Sequence, residues 1–255
     1  MTKIIDTHAH YYHGKFKRHL PQLMSEMQES VNKIINIGTN IESNIKVINM
    51  LEDYDFLYSM IGFFPNDVTE LEDIKNRNFL ETHIHDRRVL GIGEIGLDYH
   101  WDALPHEIQE KWFRWQIELA IENNLPVSIH SRDANEDTLR ILKDYVGKLK
   151  GVIHCYSYDL ESAKKYNHYG LYFGVGGTST YKSNKKVIEA LKHLPMNKLL
   201  LETDAPYLSP EPVRRETNDS RNIIYVAENL AKIKGLTTED VLKCNKDNCN
   251  KLFGI

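Results

Sequence analysis

Three shortages narrow the reading of this chain before any motif does. Cysteine is scarce: only Cys155, Cys244 and Cys249 are present, an odd number without paired spacing, which argues against a disulfide framework and for reduced thiols. Long apolar runs are missing. No segment approaches the roughly 20 residues of a membrane span, and the start Met1-Thr-Lys-Ile-Ile-Asp meets Asp6 and His8 before a signal core forms. A cytoplasmic protein with no membrane contact is expected. Excess positive charge is missing too, with 32 Lys and Arg against 36 Asp and Glu and a formal net charge of −4. Proteins that coat nucleic acid usually carry a basic balance, so any nucleic-acid contact here must be local, at a pocket or a strand end. No stretch rich in Pro, Gly or Ser divides the 255 residues, and no segment marks an obligate protein partner. One domain over residues 1–255 is the expectation.

What the chain does contain is a repeating unit: a short β-branched run, a polar loop, then an amphipathic helical stretch. The strand candidates are Lys3–Thr7, Lys33–Gly38, Leu57–Gly62, Val89–Glu94, Pro126–His130, Gly151–His154, Leu171–Val175 and Lys198–Glu202. Runs such as Ile34-Ile35-Asn36-Ile37 and Leu199-Leu200-Leu201 suit parallel strands covered on both faces. Between strands, Ile108, Trp112, Trp115 and Leu119 follow one helix face within His106–Asn123. Thr237 and Asp240 form a capping-box pattern that opens a last helix running toward Phe253. Eight such units over one domain length predict an α/β fold, a (β/α)8 TIM barrel of about 250 residues. A doubly wound open sheet is the other arrangement to weigh, but no G-x-G-x-x-G follows the first strand.

In a barrel the chemistry gathers at the C-terminal ends of the strands, and six metal-capable side chains fall at five of those ends. His8 and His10 close strand 1, Glu94 closes strand 4, His130 ends strand 5, His154 ends strand 6, and Asp204 follows strand 8. The i, i+2 spacing of His8 and His10 puts both imidazoles on one face of a strand. Imidazole and carboxylate donors suit Zn or Mn, and tolerate Mg when water completes the shell. Six donors exceed what one ion with an open position needs, so two divalent ions about 3.5–4 Å apart are expected. Two ions would bring +4 against −2 from the two carboxylates, leaving a positive site suited to an anionic substrate. By strand alternation Cys155 should point away from the ions. The remaining histidines, among them His13 and His100, read as surface or helix residues.

The segments His8-Ala9-His10, Gly93-Glu94-Ile95-Gly96-Leu97-Asp98-Tyr99, His130-Ser131-Arg132, His154-Cys155-Tyr156 and Leu201-Glu202-Thr203-Asp204-Ala205-Pro206-Tyr207-Leu208 together resemble the TatD family of metal-dependent deoxyribonucleases, nearly end to end. The resemblance implies that His8, His10, Glu94 and Asp204 hold one ion, that Glu94, His130 and His154 hold the other, and that Glu94 bridges. It also implies phosphodiester hydrolysis at DNA ends or in short DNA by a metal-activated water, with Asp204 taking the proton. Two places depart from the family pattern. Gly62-Phe63-Phe64-Pro65 stands where relatives usually carry Gly-x-His-Pro, so Phe64 replaces a hydrogen-bonding group but would stack on a base. The loop after strand 8 is also altered, with Arg221 as its candidate phosphate contact. Arg132, Tyr156 and Tyr207 complete the candidate substrate contacts. The same centre would also serve hydrolysis of an amide, a lactone or an ester such as that of a misacylated tRNA; a non-catalytic scaffold is the remaining reading.

Overall fold

Eight parallel strands alternate with helices in this computed structural model, which describes residues 2–68, 73–101 and 104–255. The strands are β1 (Ile4–Ala9), β2 (Val31–Ile37), β3 (Leu57–Ile61), β4 (Val89–Asp98), β5 (Val127–Arg132), β6 (Gly151–Ile153), β7 (Tyr172–Val175) and β8 (Leu199–Leu201). The helices are α1 (Leu20–Met27), α2 (Ile41–Asp53), α3 (Asp73–His83), α4 (His106–Glu122), α5 (Asn135–Lys143), α6 (Leu160–His168), α7 (Lys185–His193), α8 (Ile223–Lys234) and α9 (Thr238–Phe253). Strand order follows chain order, β1 to β8, the order of a barrel and not of a doubly wound sheet. The first and last strands meet as well. The Asp204 amide donates to the His8 carbonyl at 2.9 Å and the His10 amide to the Ala205 carbonyl at 2.7 Å, with a parallel bridge between Ala9 and Ala205.

Alternation along the strands sorts their side chains into two layers. Ile4, Ile34, Ile61, Ile153, Leu199 and Leu201 pack outward against the helices. Their neighbours Ile5, Ile35, Met60, Val152 and Leu200 pack inward, where Cys249, Leu252 and Phe253 of α9 join them and close the lower end. Asn245 of α9 ties that plug to the backbone: its amide nitrogen donates to the Ile5 carbonyl and its oxygen accepts the Leu201 amide, both at 2.9 Å. Local signals start the helices. Thr237 and Asp240 exchange both hydrogen bonds of a capping box at α9, and Asn40 and Ser43 do so at α2.

Strand register shifts at several places, and two of them lie under the site. Pairing of β1 with β2 slips between Asp6 and Ala9, so that Ile5 and His8, three residues apart, both face the interior. Pairing of β4 with β5 slips between Ile92 and Ile95. Both of those isoleucines pack outward, and Glu94 between them turns into the mouth. Irregularities of this kind re-aim side chains next to active sites.

Candidate metal centre and cavity

Strand ends bring the six predicted donors to one floor. His8 Nε2 and His10 Nε2 are 3.2 Å apart. They lie 3.5 and 3.6 Å from Glu94 Oε2 and 3.9 and 3.2 Å from Asp204 Oδ1. Donor atoms of His8, His10 and Asp204 lie within 4.8 Å of one another and could hold one metal ion, with Glu94 Oε2 beside both imidazoles. The other oxygen of Glu94 faces a second group. Its Oε1 is 2.9 Å from His130 Nδ1 and 3.9 Å from His154 Nε2, and His154 Nε2 lies 3.8 Å from Asp204 Oδ1. The His154 ring stacks on that of His8, centroids 3.4 Å apart. The second set is looser and more lopsided than the first.

Behind the donors stands a layer that sequence reasoning missed. The carbonyl of Ile37 accepts from His10 Nδ1 at 2.8 Å; a carbonyl only accepts, so the Nε2 lone pair is left toward Glu94 and Asp204. Ser128 Oγ meets His8 Nδ1 at 3.1 Å. The second pair of histidines is backed by carboxylates instead. Asp98 Oδ2 accepts from His130 Nε2 at 2.9 Å. Glu202 Oε1 lies 3.0 Å from His154 Nδ1, close enough for the charges to couple though off the line of a hydrogen bond, and it also accepts the Cys155 amide at 2.6 Å. Glu202 Oε2 is buried without a partner. It fits only because residue 174 is glycine: a Cβ there would sit 2.2 Å from that oxygen. Carboxylates behind ligand histidines orient the rings and raise their basicity.

Asp6 fixes the seam between β1 and the loop after β8. Its Oδ1 accepts the His8 and Thr203 amides at 3.2 and 3.1 Å, and its Oδ2 accepts the Thr203 and Ser220 hydroxyls at 2.6 Å each. Burial pushes its pKa up to about 7 despite those four donors. Strand β4 needs a second special residue: Gly96 has φ +138°, and a Cβ would lie 1.9 Å from the His130 carbonyl oxygen.

The floor favours positive charge. Burial works to raise Glu94 and Asp204, but hydrogen bonds from His130 and His8 hold Glu94 well below the usual range, and the bond from His10 holds Asp204 below it. Burial works to lower His154, yet the Glu202 charge, joined by Asp204 and Glu94, takes it up to about 10. His10 and His130 are raised by their carboxylate partners against the same burial cost. His8 is lowered, by burial and by the His154 charge. A cluster that draws protons onto its imidazoles in this way also draws a metal cation. The sequence-based charge count needs correction here. Asp98 and Glu202, behind His130 and His154, add a formal −2 to the −2 of Glu94 and Asp204, negative charge that a count of the six donors alone leaves out.

Above the floor opens a cavity of about 730 Å³ lined by Tyr12, His13, Thr39, Phe64, Asp67, Trp101, Arg132, Cys155 and Tyr207 among others. Of the predicted substrate contacts, Phe64, Arg132 and Tyr207 line it. The Phe64 ring stands edge-on to His130 at 4.7 Å, and the Arg132 guanidinium lies 5.6 Å from the Trp101 ring centre. Tyr156 and Arg221 do not line it. Tyr156 is 2% exposed, packs on Phe173 and donates its hydroxyl to the Asp159 carbonyl; it is core. The Arg221 guanidinium is held by Asp219 and by Glu26 of α1 at 2.9 and 3.1 Å, beneath a separate shallow pocket. Cys155 turns toward the cavity, against the alternation argument, because β6 has ended at Ile153 and Cys155 takes a left-handed φ of 46°. His13, read as a surface residue, reaches the rim against Tyr207.

Comparison with known proteins agrees with this geometry. Residues 5–254 match the family model described as TatD related DNase. The chain is 37% identical to YabD of Bacillus subtilis, named an uncharacterized metal-dependent hydrolase, over 99% of both chains. It is 30% identical to YcfH of Escherichia coli K12, named in the same way, over 99% of this chain and 96% of that one. The crystal structure of YJJV, a TatD homolog from Escherichia coli K12, superposes with a TM-score of 0.91 at 28% identity, covering 100% of this chain and 99% of the other. The chain belongs to the TatD family of metal-dependent hydrolases.

Proposed function

We propose that this hydrolase cuts phosphodiester bonds at the ends of DNA or in short DNA, with two divalent ions (Zn, Mn or Mg) held by His8, His10, Glu94 and Asp204 on one side and by Glu94, His130 and His154 on the other. One observation carries the reading: a cavity wide enough for a nucleotide, walled by Phe64, Trp101 and Tyr207, opens directly over the donor floor. Aromatic walls accept bases of any sequence, and Arg132 offers a planar fork for a phosphate. When bound, the ions supply Lewis acidity toward water and toward phosphoryl oxygens. Glu94 keeps one oxygen for each donor group. Asp98 and Glu202 hold the His130 and His154 rings from behind. Asp204 is the proton acceptor, because it is the more open inner carboxylate, at 16% side-chain exposure against 6% for Glu94. Phe64 favours a second reading, hydrolysis of a less charged ester or amide, because it offers no hydrogen bond to a phosphate. An activity panel on metal-stripped protein resupplied with Mg, Mn or Zn separates the two. Labelled single-stranded DNA, duplex DNA, RNA and simple esters are the substrates. Metal-dependent shortening of DNA is expected; ester turnover without DNA cleavage would replace the first reading with the second.

A further inference from the structure

Charge around the cavity rim is divided by side. In this strand order the loops after β7, β8 and β1 are neighbours, and they lie across the mouth from the loops after β3, β4 and β5. The loop after β1 carries Lys15, Lys17 and Arg18, and the loop after β7 with the first turn of α7 carries Lys182, Lys185 and Lys186, neither stretch holding an acid; the loop after β8 between them is mixed, with Arg214, Arg215 and Arg221 against Glu211, Glu216 and Asp219. All six side chains are exposed, and Lys186 lies near enough to Asp159 for its charge to lower that carboxyl. The facing side holds Asp67, Glu107, Asp133 and Asp137; its cations are Arg132, which lines the cavity, and Arg140, which is ion-paired to Asp137 at 2.8 Å, while His100 lies 3.0 Å from Asp133.

The helix ends repeat the division. An acid in the first turn offsets the positive end of a helix dipole. Helices α2, α4, α5 and α6 each carry one or two, whereas α1 and α7 carry none. Helix α7 begins with two lysines, the sign that its dipole disfavours there. An aromatic platform stands on the same side: Tyr207 is 43% exposed, with Lys15 Nζ 5.4 Å from its ring centre. The floor gathers the carboxylates of Glu94, Asp98, Glu202 and Asp204, so beyond the reach of Arg132 a polyanion is drawn by exposed cations outside the cavity.

Building on the phosphodiester reading, we propose that the nucleic-acid strand beyond the cut bond leaves the cavity across the basic half of the rim. Its phosphates run over Lys15, Lys17, Arg18, Lys182, Lys185 and Lys186, and a base rests on Tyr207. The acidic half turns away a continuing polyanion and receives only the short terminal piece. Cutting at ends then follows from charge, with no wall needed to block the chain.

The test compares a dinucleotide with a labelled 12-mer at fixed metal, for wild type and for the quadruple variant Lys17→Glu, Arg18→Glu, Lys182→Glu, Lys185→Glu. Circular dichroism and metal content verify the variant's fold. Removing phosphate contacts should raise KM for the 12-mer about tenfold or more and flatten its salt dependence by roughly one logarithmic slope unit per lost contact, while the dinucleotide KM moves far less. The reverse substitutions on the facing rim, Glu107→Lys with Asp133→Lys, should leave the 12-mer KM unchanged or lower it. Equal losses on both lengths, or equal losses from either side of the rim, would overturn the proposed path while leaving the nuclease reading in place. Wild type that cuts neither length in any metal would overturn that reading, and the path with it.

Discussion

Glu94 divides its two oxygens between two sets of partners, His8 and His10 at 3.5 and 3.6 Å from Oε2 and His130 at 2.9 Å from Oε1. Replacing it by glutamine keeps the shape and removes the charge, so both ions should be held more weakly and hydrolysis should fall at least about a hundredfold. Asp204 Oδ1 comes nearest to His10, at 3.2 Å, and stands 3.9 Å from His8 and 3.8 Å from His154, and its loss should act differently. Asp204→Asn is expected to cut turnover more than it cuts ion content, measured as kcat beside metal stoichiometry on the same samples. Near-normal kcat in that variant would move the proton acceptor elsewhere. Phe64 poses the opposite question, what a residue fails to supply. Its ring sits 4.7 Å from His130 and has no donor to offer a phosphate, whereas an imidazole in its place would. A charge-assisted hydrogen bond is worth about 1.5–3 kcal/mol, or roughly ten- to a hundredfold in rate. Phe64→His should therefore raise kcat/KM for a short DNA. A fall would mean that the phenyl ring is a base platform instead.

At the scale of elements, the two ends of the barrel do different work. The upper ends of β1, β4, β5, β6 and β8 carry the donors, while α9 seals the lower end through Asn245 and Asn248. Asn248 Nδ2 donates to the Met196 and Leu199 carbonyls at 2.9 and 2.7 Å. Asn245→Leu would leave the buried Leu201 amide and Ile5 carbonyl without partners, at about 1–3 kcal/mol each. For a chain of this size each 1 kcal/mol lowers Tm by about 2–4 °C, so a clear drop in Tm is expected with activity at 25 °C within about twofold. Loss of activity in protein that is still folded would show that the plug and the site are coupled. Which of these elements could be read beforehand follows from how local their signals are. Strand runs, the α9 capping box and donors at strand ends are patterns within a few residues, and they were legible. Glu202 was missed although alternation from Leu200, which packs inward, points it inward too. Asp98 lay inside a quoted motif, but its role depends on His130, 32 residues away. Arg221 misled because its captor Glu26 is 195 residues distant in sequence. Tyr156 misled because a residue beside a ligand turns into the core as soon as the strand ends.

For the whole molecule, the ions and the core are separate sources of stability. The outward layer between strands and helices and the inward plug of Ile5, Ile35, Met60, Val152, Leu200 and Phe253 are apolar clusters with no donor residue among their members. The floor, by contrast, gathers four carboxylates at the top of the barrel, which raise His154 to about 10 and raise His130 as well. Stripping metal with a chelator should therefore abolish turnover yet leave the far-ultraviolet circular dichroism of a folded α/β protein. Ions that bind the folded chain and not the unfolded one stabilise by mass action, about 2.7 kcal/mol at a hundred times Kd. At about 2–4 °C per kcal/mol, resupplying Mn or Zn should raise Tm by roughly 5–10 °C. The rise should be lost in Glu94→Gln, which retains the core. Full turnover in metal-free buffer would remove the ions from the chemistry. Unfolding of the stripped protein would instead make the centre part of the scaffold, against the division of layers described above.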